Sequence, residues 1–251
     1  MAKFLRVPLG PHLIDIVHLI RSNAQRHSTF DVFRDFCELA AISLSNAVDG
    51  VHWDAREQRY LQIVGRYQPD EVARFPQMLG HLALSLQTTF HDALGSLFMA
   101  MELGNAWKGQ SFTPYSVSRA MAAMALSDAG SVIERQGFIT VADPAVGGGA
   151  MMIAAADVLH EAGFNYADVL HVTAHDIDAT AVTMSYVQFS LLGIPAVVRH
   201  GDSLKMEVRD YWVTPAHVLG RWSAKLAAKQ PGESPALVPA LPTHGQPLTL
   251  F

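Results

Sequence analysis

Asp143-Pro144-Ala145-Val146-Gly147-Gly148-Gly149 decides how this chain is read. The stretch follows an apolar, β-branched run, Ile139-Thr140-Val141-Ala142, and opens into Ala150 to Ala162, a segment apolar nearly all round a helix. Strand, glycine turn and helix in that order make a ligand loop. Glycines let the backbone turn tightly and approach a ligand, and the helix that follows points unpaired N–H groups into the turn. Asp143 adds a carboxylate just before the turn. It is a poor neighbour for phosphate but a good acceptor for an ammonium or a hydroxyl, so the loop suits a cationic, nucleoside-like ligand.

Neighbouring motifs are excluded by what the loop lacks. A phosphate-binding P-loop ends in Gly-Lys-Ser/Thr, whereas Gly149 is followed by Ala150-Met151-Met152. A dinucleotide fingerprint places a further glycine where this chain has Met152, which makes NAD a weak alternative. The bland reading is a flexible turn between a strand and a helix. Against it stand the segments that follow. Val169 to Thr173 reads as a second strand, Ala179 to Leu192 as a helix and Ala196 to Arg199 as a third short apolar run. Strands alternating with helices predict a parallel sheet, whose ligands sit outside the carboxyl ends of the strands. Asp143, Asp176 and Asp202 all fall there and point to one site. Asp178, and less readily Asp176, also read as N-caps of the helix from Ala179.

Four segments, in order, resemble N6-adenine DNA methyltransferases. Asp143 to Gly149 is similar to that family's Asp-Pro-Ala-Cys-Gly-Ser-Gly motif, with Val146 and Gly148 in place of Cys and Ser. Gly109-Gln110-Ser111-Phe112-Thr113-Pro114 resembles the Gly-Gln-Phe-Phe-Thr-Pro segment of type I restriction modification subunits. His175-Asp176-Ile177-Asp178 is similar to the end of the family's second strand, and Gly201-Asp202-Ser203-Leu204 looks like its third motif. The resemblance implies S-adenosyl-L-methionine as cofactor, with Asp176 on the ribose hydroxyls and Asp202 on the adenine amino group. Phe112, Thr113, Pro114, Asp143, Ala145, Gly147 and Gly149 complete the implied cofactor-binding set.

The first hundred residues read as helices. Ser28-Thr29-Phe30-Asp31 is a capping box opening a helix to about Ala47, Asp54 to Arg66 continues at helical spacing, Pro69 starts another helix, and Phe90 to Leu103 gives one more. The expected organisation is an all-α domain over residues 1–108, a partial α/β, Rossmann-like methyltransferase domain with a parallel sheet over 109–229, and a proline-rich flexible tail over 230–251. Half of the 251 residues are hydrophobic and 16% are charged, a balance that buries a sizeable core. No apolar run approaches the roughly 20 residues a membrane span needs, and the amino terminus lacks a signal pattern, so the expected location is cytoplasmic. The single cysteine, Cys37, reads as a buried structural thiol, and the twelve histidines show no zinc spacing, so no metal is expected.

A net charge of −5 disfavours duplex DNA overall, so any grip must be local. Arg199, Lys205, Arg209, Arg221, Lys225 and Lys229, with Trp212 and Trp222 among them, form a candidate basic and aromatic surface for unpaired bases. The competing reading is a helix capped by Thr214-Pro215 and running to about Ala228, with an ordinary solvated face.

The resemblance fails at the acceptor base. The family's Asn/Asp-Pro-Pro-Tyr/Phe motif holds the flipped adenine, and this chain contains no Pro-Pro pair, so no catalytic residue is carried over. A complete methyltransferase sheet does not fit after Ser203, and a sheet ending at its third strand leaves an unpaired edge. The implied function is an S-adenosylmethionine-dependent N6-adenine DNA methyltransferase lacking its acceptor motif. The alternative is a catalytically inactive, methyltransferase-like binding or regulatory protein of restriction or mobile-element systems. DNA, together with a completing subunit or a second copy, are the expected partners.

Overall fold

The computed structural model describes residues 9–101 and 112–229. The expected boundary at residues 108 and 109, the segment Gly109-Gln110-Ser111 and the proline-rich tail 230–251 lie outside the described residues. The amino-terminal region is helical: α1 (Pro11–Asn23), α2 (Thr29–Asn46), α3 (Trp53–Val64), α4 (Pro69–Val72), α5 (Arg74–Thr88) and α6 (Ala93–Ala100). Ser28 caps α2 by accepting the Asp31 N–H at 3.0 Å, and Gln68 and Glu71 form a capping box on α4. Asp92 caps α6 from the Gly95 N–H at 2.8 Å, starting that helix later than its apolar spacing predicts.

After α7 (Tyr115–Ala125) and α8 (Ala129–Gln136) comes the sheet: β1 (Ile139–Asp143), β2 (Leu170–Asp176), β3 (Ala196–Asp202) and β4 (Glu207–Val213), in spatial order β1-β2-β3-β4. The first three strands are parallel, joined through α9 (Ala150–Glu161), the short α10 (Tyr166–Val169) and α11 (Ala179–Leu191). Two crossovers in the same direction put α9 and α11 on one face, as right-handed βαβ units require. Strand alternation sends Leu170, Val172, Ala174 and Asp176 to that face and His171, Thr173 and His175 to the other.

The fold is thus a helical region followed by a mixed, mostly parallel four-stranded sheet with helices. The two parts share a core. α11 is buried nearly all round because the sheet covers one side and α2 the other, and one apolar cluster joins Phe33, Phe36 and Leu39 to Val187, Phe189 and Val198. Cys37 is buried in it, and burial raises its thiol pKa well above the usual range. No helix among the described residues is long and apolar enough to cross a membrane.

Two expectations are corrected. The sheet does not stop at its third strand: β4 returns antiparallel on β3, with a register shift between His200 and Gly201. There a Cβ on Gly201 would lie 1.9 Å from the Glu207 carbonyl oxygen, so only glycine allows the approach. Among the described residues the strands with a single neighbour are β1 and β4, at the two edges of the sheet. The helix expected from Pro215 to about Ala228 is broken into α12 (Pro215–Leu219) and α13 (Trp222–Lys229). Thr214 caps α12 as expected, but Arg221 takes φ 53° and redirects the chain. The turn buries Trp222, whose ring meets Phe138 at 5.2 Å and His171 at 5.3 Å and whose Nε1 donates to the Ala167 carbonyl at 3.2 Å.

Candidate cofactor site

The glycine loop is fixed from three directions. From β2, the Val146 N–H donates to the His175 carbonyl at 2.9 Å and the Gly147 N–H to Asp176 Oδ2 at 2.8 Å. From the helical region and α11, Gln188 Nε2 donates to the Gly148 carbonyl at 2.7 Å and to Asp92 Oδ1 at 2.9 Å, while Gln188 Oε1 accepts the Leu94 N–H at 3.1 Å. Asp92 sits so close to Gly148 that a Cβ there would lie 2.9 Å from its carboxylate. From above, Phe112 packs on Gly147, where a Cβ would be 3.0 Å from the ring, and Phe112 itself stacks edge-on against Phe98 at 5.1 Å. Gly149 has φ 97° and starts α9 with no side-chain cap, leaving that helix's first N–H groups to the loop.

Asp143 and Asp176 flank this loop at the ends of neighbouring strands. Asp143 Oδ1 accepts the Ala145 N–H at 3.0 Å. Burial raises its carboxyl above the ordinary value and Asp176 adds to the rise, while the Ala145 N–H opposes it. Asp176 is buried, with Oδ1 on the Asp178 N–H at 2.9 Å and Oδ2 on the Gly147 N–H. Each carboxylate oxygen has acceptor capacity beyond one bond, so a hydroxyl donor fits alongside these contacts. The N-cap of α11 is Asp178, which accepts the Thr180 N–H at 2.8 Å.

Asp202 ends β3 but turns onto its own chain. It accepts the Leu204 and Lys205 N–H groups at 3.0 and 3.2 Å and pairs with Lys205 Nζ at 3.4 Å. The Lys205 N–H, above all, lowers its pKa. Thr113 and Pro114 are exposed at the start of α7, where the Pro114 carbonyl accepts the Val117 and Ser118 N–H groups. The structure therefore gathers Phe112, Asp143, Ala145, Gly147, Gly149 and Asp176 around one loop and sets Asp202 at the end of the next strand.

Sequence reasoning missed Asp92 and Gln188, which stand far apart in the chain and meet only through the fold. It also missed Ile177 and Leu204, 60% and 96% exposed directly after Asp176 and near Asp202. Apolar side chains at the mouth of an acidic site offer a surface for a flat base. A separate cleft of about 560 Å³ lies between α2, α3 and the sheet, lined by Arg34, Glu38, Arg59, Thr183, His200 and Trp212, and none of the gathered residues lines it.

The basic and aromatic surface expected around Trp212 and Trp222 is not formed. Both indoles are buried, Trp212 beneath the Arg56 guanidinium at 3.9 Å, and Arg199 is buried within the sheet. Neither ring is available to stack on a base.

Residues 96–219 match the model of the N-6 DNA methylase family. No curated protein matches the sequence. Among solved structures, the chain is similar to a Listeria monocytogenes protein designated a class I S-adenosylmethionine-dependent methyltransferase, at 17% identity and a TM-score of 0.47, covering 77% of this chain and 54% of that one. It is also similar to the type I restriction-modification system methyltransferase subunit of Streptococcus thermophilus, at 16% identity and a TM-score of 0.41, covering 81% of this chain and 42% of that one. The chain thus spans about half the length of these structures.

Proposed function

We propose that this chain, whose residues 96–219 match the N-6 DNA methylase family model, binds S-adenosylmethionine at the carboxyl ends of β1 to β3 and serves as the cofactor half of an N6-adenine DNA methyltransferase. The observation that carries this reading is the glycine loop held between Asp143, Asp176 and Phe112 at the start of α9. The bound cofactor would supply a methyl group on a cationic sulfur. Asp143 and Asp176 give the site a negative field that complements such a ligand, Asp176 takes the ribose hydroxyls, and Ile177 and Leu204 flank the base whose amino group Asp202 accepts. The loop backbone from Ala145 to Gly149 lies against the amino-acid portion, with Phe112, Thr113 and Pro114 closing one side.

The test is calorimetric titration of S-adenosylmethionine into the wild type, Asp176→Ala and Ile177→Asp. Loss of two ribose hydrogen bonds to a charged acceptor costs about 1.5–3 kcal/mol each, so Asp176→Ala should weaken binding at least tenfold. Wild-type protein that binds no cofactor, or binds it equally well as Asp176→Ala, refutes the assignment.

Two exposed features favour completion by another polypeptide. β1 has a strand on one side only, and α7 shows an apolar stripe, Val117, Met121 and Met124, that is 46%, 50% and 79% exposed. Helical spacing puts this stripe opposite Tyr115 and Arg119, which bind Asp157 on the outer side of α9. It therefore faces away from α9, into solvent. A completing subunit or a second copy that pairs with the β1 edge or covers this stripe would bring the acceptor-base groups in trans, with DNA as the substrate and the cytoplasm as the location. The absence of a Pro-Pro pair favours the second reading, a cofactor-binding regulatory protein without activity of its own. Transfer of labelled methyl groups to DNA by the isolated chain would exclude that reading.

A further inference from the structure

His12 and Asp15, one turn apart on α1, converge with His81, distant in sequence on α5. His12 Nδ1 lies 3.2 Å from His81 Nδ1, and His81 Nδ1 lies 3.6 Å from Asp15 Oδ2. The three candidate ligand atoms all fall within 4.8 Å of one another. We propose that His12, Asp15 and His81 form a binding site for a divalent transition-metal cation of the zinc type, independent of the cofactor site and clamping α1 to α5.

Three arguments support the assignment. The first is geometric: ligands about 2.0–2.1 Å from a tetrahedral zinc ion stand about 3.3 Å from each other, and the separations of 3.2 and 3.6 Å fall either side of that value. The second is a proton count. His12 Nδ1 and Asp15 Oδ2 both converge on His81 Nδ1, which carries one proton at most and directs it at one acceptor. A cation satisfies all three lone pairs at once. The third is preorganisation. His12 and Asp15 are one turn apart on α1, whose start is fixed by Pro11, and the buried seam of Leu13, Ile16 and Ile20 with Met78 and Leu82 holds His81 opposite them. Both rings are half-buried while Asp15 is exposed, so the cation would keep a position open to water or another ligand. Two imidazoles and one carboxylate suit zinc, cobalt or nickel better than calcium or magnesium, which favour all-oxygen sets.

The experiment uses untagged full-length protein and zinc chloride alone, with cobalt(II) as the spectroscopic probe. Isothermal titration should give one site per chain, a raised unfolding midpoint, and a cobalt absorption spectrum of tetrahedral nitrogen and oxygen ligation. His81→Gln and His12→Ala should each weaken binding at least tenfold, whereas His18→Ala, on the same helix outside the cluster, should leave it unchanged. Circular dichroism of the metal-free variants shows whether each remains folded, and His81→Gln keeps hydrogen-bonding groups in case His12→Ala does not. Magnesium should not compete. Absence of zinc binding at 100-fold molar excess, or binding that survives both cluster substitutions, overturns the proposal.

Discussion

Gly149→Ala tests whether the loop is shaped by close packing or only by its backbone conformation. Gly149 has φ 97°, and a Cβ there would lie 2.7 and 2.9 Å from the Phe189 ring and 3.3 Å from Ser185 Cβ. Carbon atoms settle at about 3.5–4.0 Å, so the overlap is roughly 0.8 Å against a fully buried ring on a packed helix. The left-handed conformation costs an alanine about 1–2 kcal/mol, and overpacking adds about 1–3 kcal/mol. Gly163 is the internal control: φ is 85° and nothing lies within 4 Å of its Cβ position, so Gly163→Ala should carry only the backbone cost. Urea unfolding followed by circular dichroism measures both. Gly149→Ala should lose about 2–5 kcal/mol and Gly163→Ala about 1–2 kcal/mol, with unchanged denaturant dependence. Adding Phe189→Leu to Gly149→Ala should return part of the packing cost as a favourable coupling. Equal losses in the two single variants would refute the claim that Phe189 and Ser185 set the loop.

Other outcomes follow from the same coordinates. Burial lowers His171 to about 3 and His217 to about 4, with His171 Nε2 2.9 Å from His217 Nδ1, so both rings are neutral in the fold. The unfolded chain protonates them first, near pH 6.5, so their stabilisation is complete above that pH and drains as pH falls through about 4 and about 3. Urea midpoints between pH 7.5 and 5 should fall more steeply for the wild type than for His217→Gln, and parallel slopes would disprove the assignment. Arg56 donates to Asp49 at 2.7 Å, to the Tyr211 carbonyl at 2.9 Å and to Ser45, inside the protein. Arg56→Ala should cost at most about 3–5 kcal/mol, because the buried Asp49 loses its guanidinium partner while keeping His52 Nδ1 at 2.8 Å and the Val51 and His52 N–H groups, and Arg56→Met with Asp49→Asn should cost clearly less. Similar losses in the single and double variants, read by chemical unfolding, would count against the pair. Met121→Lys with Met124→Lys should abolish association through β1 and α7 while sparing cofactor affinity. Light scattering reads self-association and co-purification reads a different subunit; complexes that persist in the variant would exclude that surface.

The elements legible in the sequence are those whose pattern is local. β1, β2, α9 and α11 announce themselves as apolar runs broken by glycine or aspartate, and the three acids at strand ends follow from strand alternation. β4 was hidden because its first half, Glu207 to Arg209, is exposed and carries charges, and it becomes a strand through pairing with β3 rather than by its own pattern. The break between α12 and α13 was hidden too: Trp222 gains more by entering the core against Phe138 and His171 than a continuous helix through Arg221 would give. Asp92 and Gln188 illustrate the remaining limit. A buried aspartate and glutamine have no sequence signature as a pair, and only the fold brings them into a direct hydrogen bond beside the Gly148 peptide.

That bridge bears on how the two parts of the chain act together. Asp92 belongs to the helical region and Gly148 to the loop, so the loop's shape depends on a hydrogen-bond chain crossing from one part to the other. Burial raises the Asp92 pKa, and the Gln188 amide and Gly95 N–H work against that rise. Losing Gln188 would therefore leave a buried carboxylate with one fewer donor and the Gly148 carbonyl with none from the side chain. α11 also needs α2, because its outer surface is apolar and packs there. An isolated α/β piece would expose that surface and release the loop together. The β1 side is different in kind: its edge has no strand beyond it and the α7 stripe is exposed, so a partner can join or leave there. The loop is held by hydrogen bonds from β2 and α11, whereas β1 has no strand on its outer side, an asymmetry that under the proposed function would separate holding a cofactor from presenting it to an acceptor.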